Sequence, residues 1–216
     1  LIAGAAAWIA IALLLLPHIT ILWLSFADYR AWNTELIPTV MTLGNYTELF
    51  TSRNAFGPIR NSLWMSGLAT VATLLIALPA AYLIARRRPG GSWLNVLVMI
   101  PWALPGTVIA INLIVAFNDR WLPIYGTVWL LPLAYFVRNI PLLTRMVGAS
   151  FETFDATLIE AGRTLGAPRR YCFWRIIIPL VAPAVAAGTA LVFATCLGEF
   201  VASILLYQTN NIPISV

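Results

Sequence analysis

Among the long stretches of this chain that carry no Asp, Glu, Lys or Arg are residues 1–27, 61–85, 89–118, 121–137 and 176–198. A helix rises about 1.5 Å per residue, so about 20 residues cross a hydrocarbon layer of about 30 Å, and each stretch approaches or exceeds that length. Of the 216 residues, 61% are hydrophobic and 10% charged, against roughly a quarter charged in an ordinary soluble domain. The fold class expected is therefore all-α, a polytopic transmembrane helical bundle. We place its spans at about 5–27, 61–85, 94–117, 124–148 and 176–198, with a cytoplasmic segment at 150–175, in one domain over residues 1–216.

The charge inventory excludes further classes. All thirteen basic residues are arginine, so there is no lysine for a phosphate-binding loop or a Schiff base. His18 is the single histidine and has no evident partner, which makes a packed, neutral ring the default reading. Together with Cys172 and Cys196 it is too little for a zinc or iron cluster. At helical rise the two cysteines stand about 36 Å apart, beyond disulfide reach. The chain is thus expected to bind no metal or cofactor of its own. The net charge of +5 is better explained by membrane topology than by nucleic acid, because the arginines are scattered between apolar spans.

Those arginines set the orientation. With the first span running outward, Arg86, Arg87, Arg88, Arg145, Arg163, Arg169, Arg170 and Arg175 lie inside, and Arg30, Arg53, Arg60 and Arg120 outside. The positive-inside rule favours this threading over its inverse. Residues 28–60 then form an outer connection in which Asp28, Glu35 and Glu48 balance three arginines, and its turn formers predict little regular structure.

The spans do not read as simple anchors. Ala69, Thr73, Ala77, Ala81 and Ala85 recur every four residues and form a ridge of small side chains suited to close helix packing. Pro101 and Pro105, Pro132 and Pro141, and Pro179 and Pro183 bend the third, fourth and fifth spans, which lipid tolerates only where neighbours re-satisfy the backbone. Asn112, Arg138 and Asn139 are expected to face other helices, since unpaired polar groups are costly there. Glu199 follows the fifth span near the outer face. It reads either as an interfacial carboxylate or as a residue guarding a translocation path, and Asn112 joins it as a path candidate.

Between the fourth and fifth spans, Phe151, Phe154, Leu158, Ala161 or Gly162, and Leu165 step by three or four residues, one stripe of a short amphipathic helix. Asp155 is the expected N-cap and Gly166-Ala167-Pro168 the stop, so the helix core is read as residues 156–165. So short a helix is marginal in water and needs packing. The stripe can rest on the ends of the membrane helices while Thr157, Glu160 and Thr164 face a partner. The alternative is a surface helix at the lipid interface, with Glu160 paired to Arg163 at i,i+3.

The residues here are Glu160-Ala161-Gly162, three residues, Gly166, nine residues, then Ile176-Ile177-Ile178-Pro179. They resemble the EAA signature of inner-membrane permease subunits of binding-protein-dependent ABC importers, with Gly162 for the third Ala and Ile178 for Leu as the departures. Thr42-Leu43-Gly44-Asn45-Tyr46, Asn61-Ser62-Leu63, Ile100-Pro101 and Gly198-Glu199-Phe200 extend the likeness over nearly the whole chain. It is most similar to permeases handling iron(III), thiamine, aminoethylphosphonate or polyamines.

The resemblance implies a type I importer permease fold in the bacterial inner membrane. Glu160, Ala161, Gly162 and Gly166 would form a coupling helix docked on an ABC ATPase subunit, with Ile176, Ile178 and Pro179 fixing its connection to the next span. ATP-Mg would be held by that ATPase. The other implied partners are a second permease subunit or fused half, a periplasmic solute-binding protein and membrane lipid. A secondary transporter or channel should show more buried acids or an inverted repeat, and a membrane enzyme needs a nucleophile and base that this composition lacks. The family implies at least six spans per half. Residues 201–216, with Gln208, Asn210, Asn211 and Pro213, read instead as an outer loop or partial re-entry, so a piece of a longer protein is expected.

Overall fold

The computed structural model describes residues 2–28, 30, 38, 40–119, 122–153 and 157–216. Glu35, Arg120, Phe154, Asp155 and Ala156 lie outside the described residues, and with them the expected N-cap. The described residues are predominantly helical, with a single isolated bridge between Ala27 and Met41 and no strand. They divide into two units, residues 1–57 and 58–216, the boundary falling inside a helix at Gly57-Pro58.

In the first unit α1 (Ile2–Ser25) leaves residues 4–23 exposed on all sides, as an apolar helix meeting lipid would. His18 is exposed there, its Nδ1 3.1 Å from the Leu14 carbonyl, and is not the packed histidine that its isolation in the sequence suggested. The outer connection is also more ordered than its turn formers predicted, because it contains α2 (Gly44–Thr51). Gly44 N–H donates to Thr42 Oγ1 at the start of α2. Asn45 Nδ2 donates to the carbonyls of Ser25 and Ala27, groups left free by the end of α1. Tyr46 stacks on Phe26 at 5.3 Å and shares a 2.7 Å hydrogen bond with Ser25 Oγ.

The second unit contains most of α3 (Arg53–Ala85), then α4 (Gly91–Ala103), α5 (Gly106–Phe117), α6 (Leu130–Thr153), α7 (Thr157–Thr164), α8 (Arg169–Cys172), a π-helical turn (Phe173–Ile177), α9 (Ile178–Leu197) and α10 (Ser203–Leu206). The third apolar stretch is not one continuous span: α4 and α5 meet at an angle of 109°. Pro105 supplies no N–H to bond back to Pro101, so the helix ends at Ala103, and Leu104 adopts an extended conformation before Gly106 restarts it. By length and composition α1, α3 and the π turn with α9 can each cross a membrane, and the bent pair makes a fourth candidate.

Helix α6 falls short of that apolarity because protein surrounds it. Leu130, Leu131, Ala134, Tyr135, Leu143, Val147 and Phe151 are all buried, and α6 packs chiefly on α9, with α4 and α5 also against it. The α3 ridge is likewise turned inward: Ala69, Thr73, Ala77 and Ala81 have almost no exposed surface. Tyr82 of α3 meets Phe151 of α6 edge to face at 5.5 Å. The last residues fold back on α3, where Ser62 Oγ accepts from Ile214 N–H and Asn61 Nδ2 donates to the Ile212 carbonyl.

The α6–α9 crossing depends on Gly188. A Cβ there would lie 2.7 Å from Leu143 Cδ1 and 3.6 Å from Met146 Cβ. Replacing Gly188 by valine is expected to cost about 1–3 kcal/mol through overpacking, and replacing it by alanine less, since the end of Leu143 can shift. Thermal unfolding of the full-length protein in detergent measures this, and an unchanged midpoint for the valine variant would contradict the crossing described.

Candidate functional site

Two places gather the residues that the sequence singles out. The first is α7 and its exit. Gly166 has φ +84°, a left-handed conformation that costs other residues about 1–2 kcal/mol. Around it Ala167 N–H donates to Gly162 O at 3.0 Å and Gly166 N–H to Arg163 O at 3.0 Å. These bonds form the Schellman closure that satisfies the last carbonyls of a helix. Glu160 lies in the first turn of α7 and Arg163 in the last, each favourable to the helix dipole. Among the described residues Glu160 forms no ion pair with Arg163, and Thr164 Oγ1 donates to the Glu160 carbonyl at 2.9 Å.

The face that α7 turns inward differs from the stripe read in the sequence. Ile159 and Gly162 are partly buried, whereas Leu158 is 46% and Leu165 88% exposed. Phe151 belongs to the end of α6. The small size of Gly162 decides the orientation. A Cβ at Gly162 would sit 3.2 Å from Ile176 Cδ1 and 3.4 Å from Cys172 Sγ, so its lack of a side chain lets α7 lie directly on α8 and the π turn. Leu158, Ala161 and Leu165 consequently form an outward apolar edge beside Glu160.

The exit has its own device. Ile178 N–H bonds to Phe173 O across the wider π turn, and Pro179 follows at once in the first turn of α9. A proline ring there would otherwise meet the carbonyl four residues back, and the wide turn displaces that carbonyl. Gly162, Gly166, Ile176, Ile178 and Pro179 thus act as one local assembly, with Glu160 and Ala161 on its exposed side.

The second place lies where the α4–α5 bend, α6 and the end of α9 converge. Arg138 Nε is 2.5 Å from Glu199 Oε2, and Glu199 is only 9% exposed. Its Oε1 accepts from Ala202 N–H at 3.2 Å, and its carbonyl accepts from Ser203 Oγ and Ser215 Oγ. Tyr135 OH completes the chain with a 2.7 Å hydrogen bond to Ser203 Oγ. Asn139 bridges α6 to α9: Thr195 Oγ1 lies 2.7 Å from its Oδ1, and its Nδ2 donates to Tyr135 O at 2.9 Å and approaches Cys196 Sγ at 3.4 Å. A Cβ at Gly106 would lie 2.7 Å from Arg138 Nη1, so glycine at the first residue of α5 leaves the guanidinium the place it occupies.

A cavity of about 520 Å³ opens beside this pair, walled by Pro101, Trp102, Pro105, Arg138, Thr195 and Glu199, among others. Asn112 is exposed on α5 and is not part of its wall. Arg138 is the member of this cluster that the sequence reading left out of its candidate path. The available signal was charge balance, since an arginine inside one span requires a carboxylate at similar depth on another. Gly106, Thr195 and Trp102 carried no such signal.

A family model described as binding-protein-dependent transport system inner membrane component matches residues 74–213. A probable ABC transporter permease protein of Sinorhizobium fredii is 32% identical over 225 residues, an alignment covering 100% of this chain and 39% of that protein. The ferric transport system permease protein of Actinobacillus pleuropneumoniae is 31% identical over 79% of this chain and 26% of its own length. The molybdenum transport system permease protein of Escherichia coli is 35% identical over 70% of this chain and 71% of its own length. The chain therefore spans well under half of the first two relatives. Among solved structures, a chain from a bacterial ABC transporter involved in the import of the acidic polysaccharide alginate superposes with TM-score 0.70 at 24% identity, covering 100% of this chain and 77% of that one. That likeness carries the fold.

The ion pair predicts an ordering of stabilities. Glu199→Leu, which strands Arg138 without a partner, is expected to cost about 1–3 kcal/mol, below the range for fully buried pairs because Arg138 keeps about a third of its side chain exposed. Adding Arg138→Leu to it should recover part of that loss. Thermal unfolding of the two variants measures the order, and a double variant no more stable than the single would refute the pairing.

Proposed function

Because the chain belongs to the family of binding-protein-dependent transport system inner membrane components, we propose that it is part of the permease of an ATP-driven importer. In this reading its helices line the route of a solute delivered by a periplasmic binding protein, and it works with a second permease subunit or fused half. ATP and magnesium are held and hydrolysed in a partner ATPase, and this chain contributes no nucleotide site of its own.

The observation that carries the proposal is the construction of α7. A short helix buries Ile159 and Gly162 against its own exit and exposes Leu158, Ala161, Leu165 and Glu160. Eight residues cannot persist as a free helix in water, and an exposed apolar edge on a structurally anchored element is the form of a docking surface. The anchoring matters for coupling: a movement of α7 would be passed by the contact of Gly162 with Cys172 and Ile176 to the π turn that leads into α9. Coupling of this kind requires that the contacts of α7 differ between the nucleotide-bound and nucleotide-free states of the partner.

The test uses the full-length protein reconstituted with its ATPase and binding protein. Leu165→Glu should reduce substrate-stimulated ATP hydrolysis and uptake by about tenfold, equivalent to ~1.4 kcal/mol of lost docking, while leaving membrane insertion intact. Gly166→Val, which strains the left-handed turn, should do the same. Uptake that persists without ATP would favour a secondary transporter, and unchanged stimulated hydrolysis in both variants would remove α7 from the coupling path.

A further inference from the structure

Two charged side chains line the cavity beside the α4–α5 bend, Arg138 and Glu199, and they differ in what they have left to offer. Both oxygens of Glu199 are engaged, one by Arg138 Nε and the other by Ala202 N–H, and the residue is nearly buried. Asn139 is committed to Tyr135, Cys196 and Thr195. Pro101 and Pro105 have no N–H to give, and Leu104 and Leu142 are apolar. Arg138 differs from all of these. It is 34% exposed, its ion pair is made at Nε, and among the described residues it has no side-chain partner besides Glu199. A guanidinium held at Nε keeps the planar edge of its terminal nitrogens for a second ligand, and that edge matches two oxygens of a carboxylate or oxyanion.

We propose that this cavity takes an anionic solute, bound through a carboxylate or oxyanion group on the terminal nitrogens of Arg138. Glu199 is the positioning residue that fixes the guanidinium, and Gly106 leaves room for it. The inference rests on the translocation reading above and narrows it to a class of cargo. Glu199 neutralises the site overall, but both its oxygens are engaged and its side chain is 9% exposed, whereas the Arg138 side chain in the same wall is 34% exposed. The more exposed charge in the wall is therefore the positive one, which favours an anion over a cation. Low-dielectric walls strengthen that preference.

Trp102 lies in the same wall and reports on it directly. In the full-length protein in lipid nanodiscs, the fluorescence of Trp102 is taken as the difference between the protein and its Trp102→Phe variant. Iodide is expected to quench that signal more than caesium does at equal ionic strength, by about threefold or more, and inorganic sulfate should reduce the iodide effect by about half as it competes for the guanidinium. Arg138→Gln should abolish the preference for iodide, Arg138→Lys should retain it, and Glu199→Gln should increase it by removing the opposing charge. Preferential quenching by caesium, an iodide preference unchanged in Arg138→Gln, or indifference to sulfate would overturn the proposal. The Lys and Glu199→Gln variants keep it open to refutation if Arg138→Gln does not fold. The measurement needs neither ATP nor transport, so a failed coupling test and a failed anion test are separate results.

Discussion

A polar group inside a bilayer has no water to fall back on, and the second unit is arranged around that constraint. The charge of Arg138 is tolerable in an apolar span because Glu199 meets it from the end of α9, and Glu199 is held in turn by Ala202, Ser203 and Ser215. Buried Asn139 finds partners on its own helix and on α9. Where backbone continuity is lost, the loss is contained. The Pro105 break is packed against α6 and the cavity wall, and Pro179 is preceded by a π turn that moves a carbonyl out of its way.

The same contacts distinguish a tightly joined pair from a lightly held element. The α6–α9 pair is closely packed at Gly188 and joined by Asn139 and Thr195. By contrast α7 rests on α8 and the π turn along a narrow inner face and is joined to α8 by the turn at Gly166. Force applied to its outer edge is thus delivered to the base of a membrane helix, while the cavity lies toward the other end of that helix. A ligand near Glu199 would act at one end of α9, and a partner at Leu165 would reach the other end through the contact of α7 with the π turn.

Much of this was legible in the sequence, for reasons that are local. The α3 ridge of alanines and Thr73 announced a buried face because small residues at a spacing of four have few other uses in a membrane helix. Gly166-Ala167-Pro168 announced the end of α7 because a left-handed turn and a proline both stop helices. The misreadings were tertiary. The apolar residues of α7 follow one stripe, but which side faces inward depends on what lies opposite, and only the closeness of Gly162 to Cys172 and Ile176 settles it. The angle between α4 and α5 was hidden for the same reason: Pro105 marks a break without stating how far the chain turns. The Arg138–Glu199 pair joins residues 61 positions apart, and no local period reports such a contact.

The central claim is that the outward edge of α7 is a surface bound by the partner ATPase, and disulfide-mediated or short-linker cross-linking in the purified full-length complex tests it most directly. Single cysteines would be placed at Leu158 and Leu165 on the outer edge and at Ile159 on the inner face. The account predicts that the two outer positions cross-link to the ATPase subunit, with a yield that changes when nucleotide binds, and that Ile159→Cys does not. Equal cross-linking from the inner face, or none from either outer position in an assembled and active complex, would contradict it.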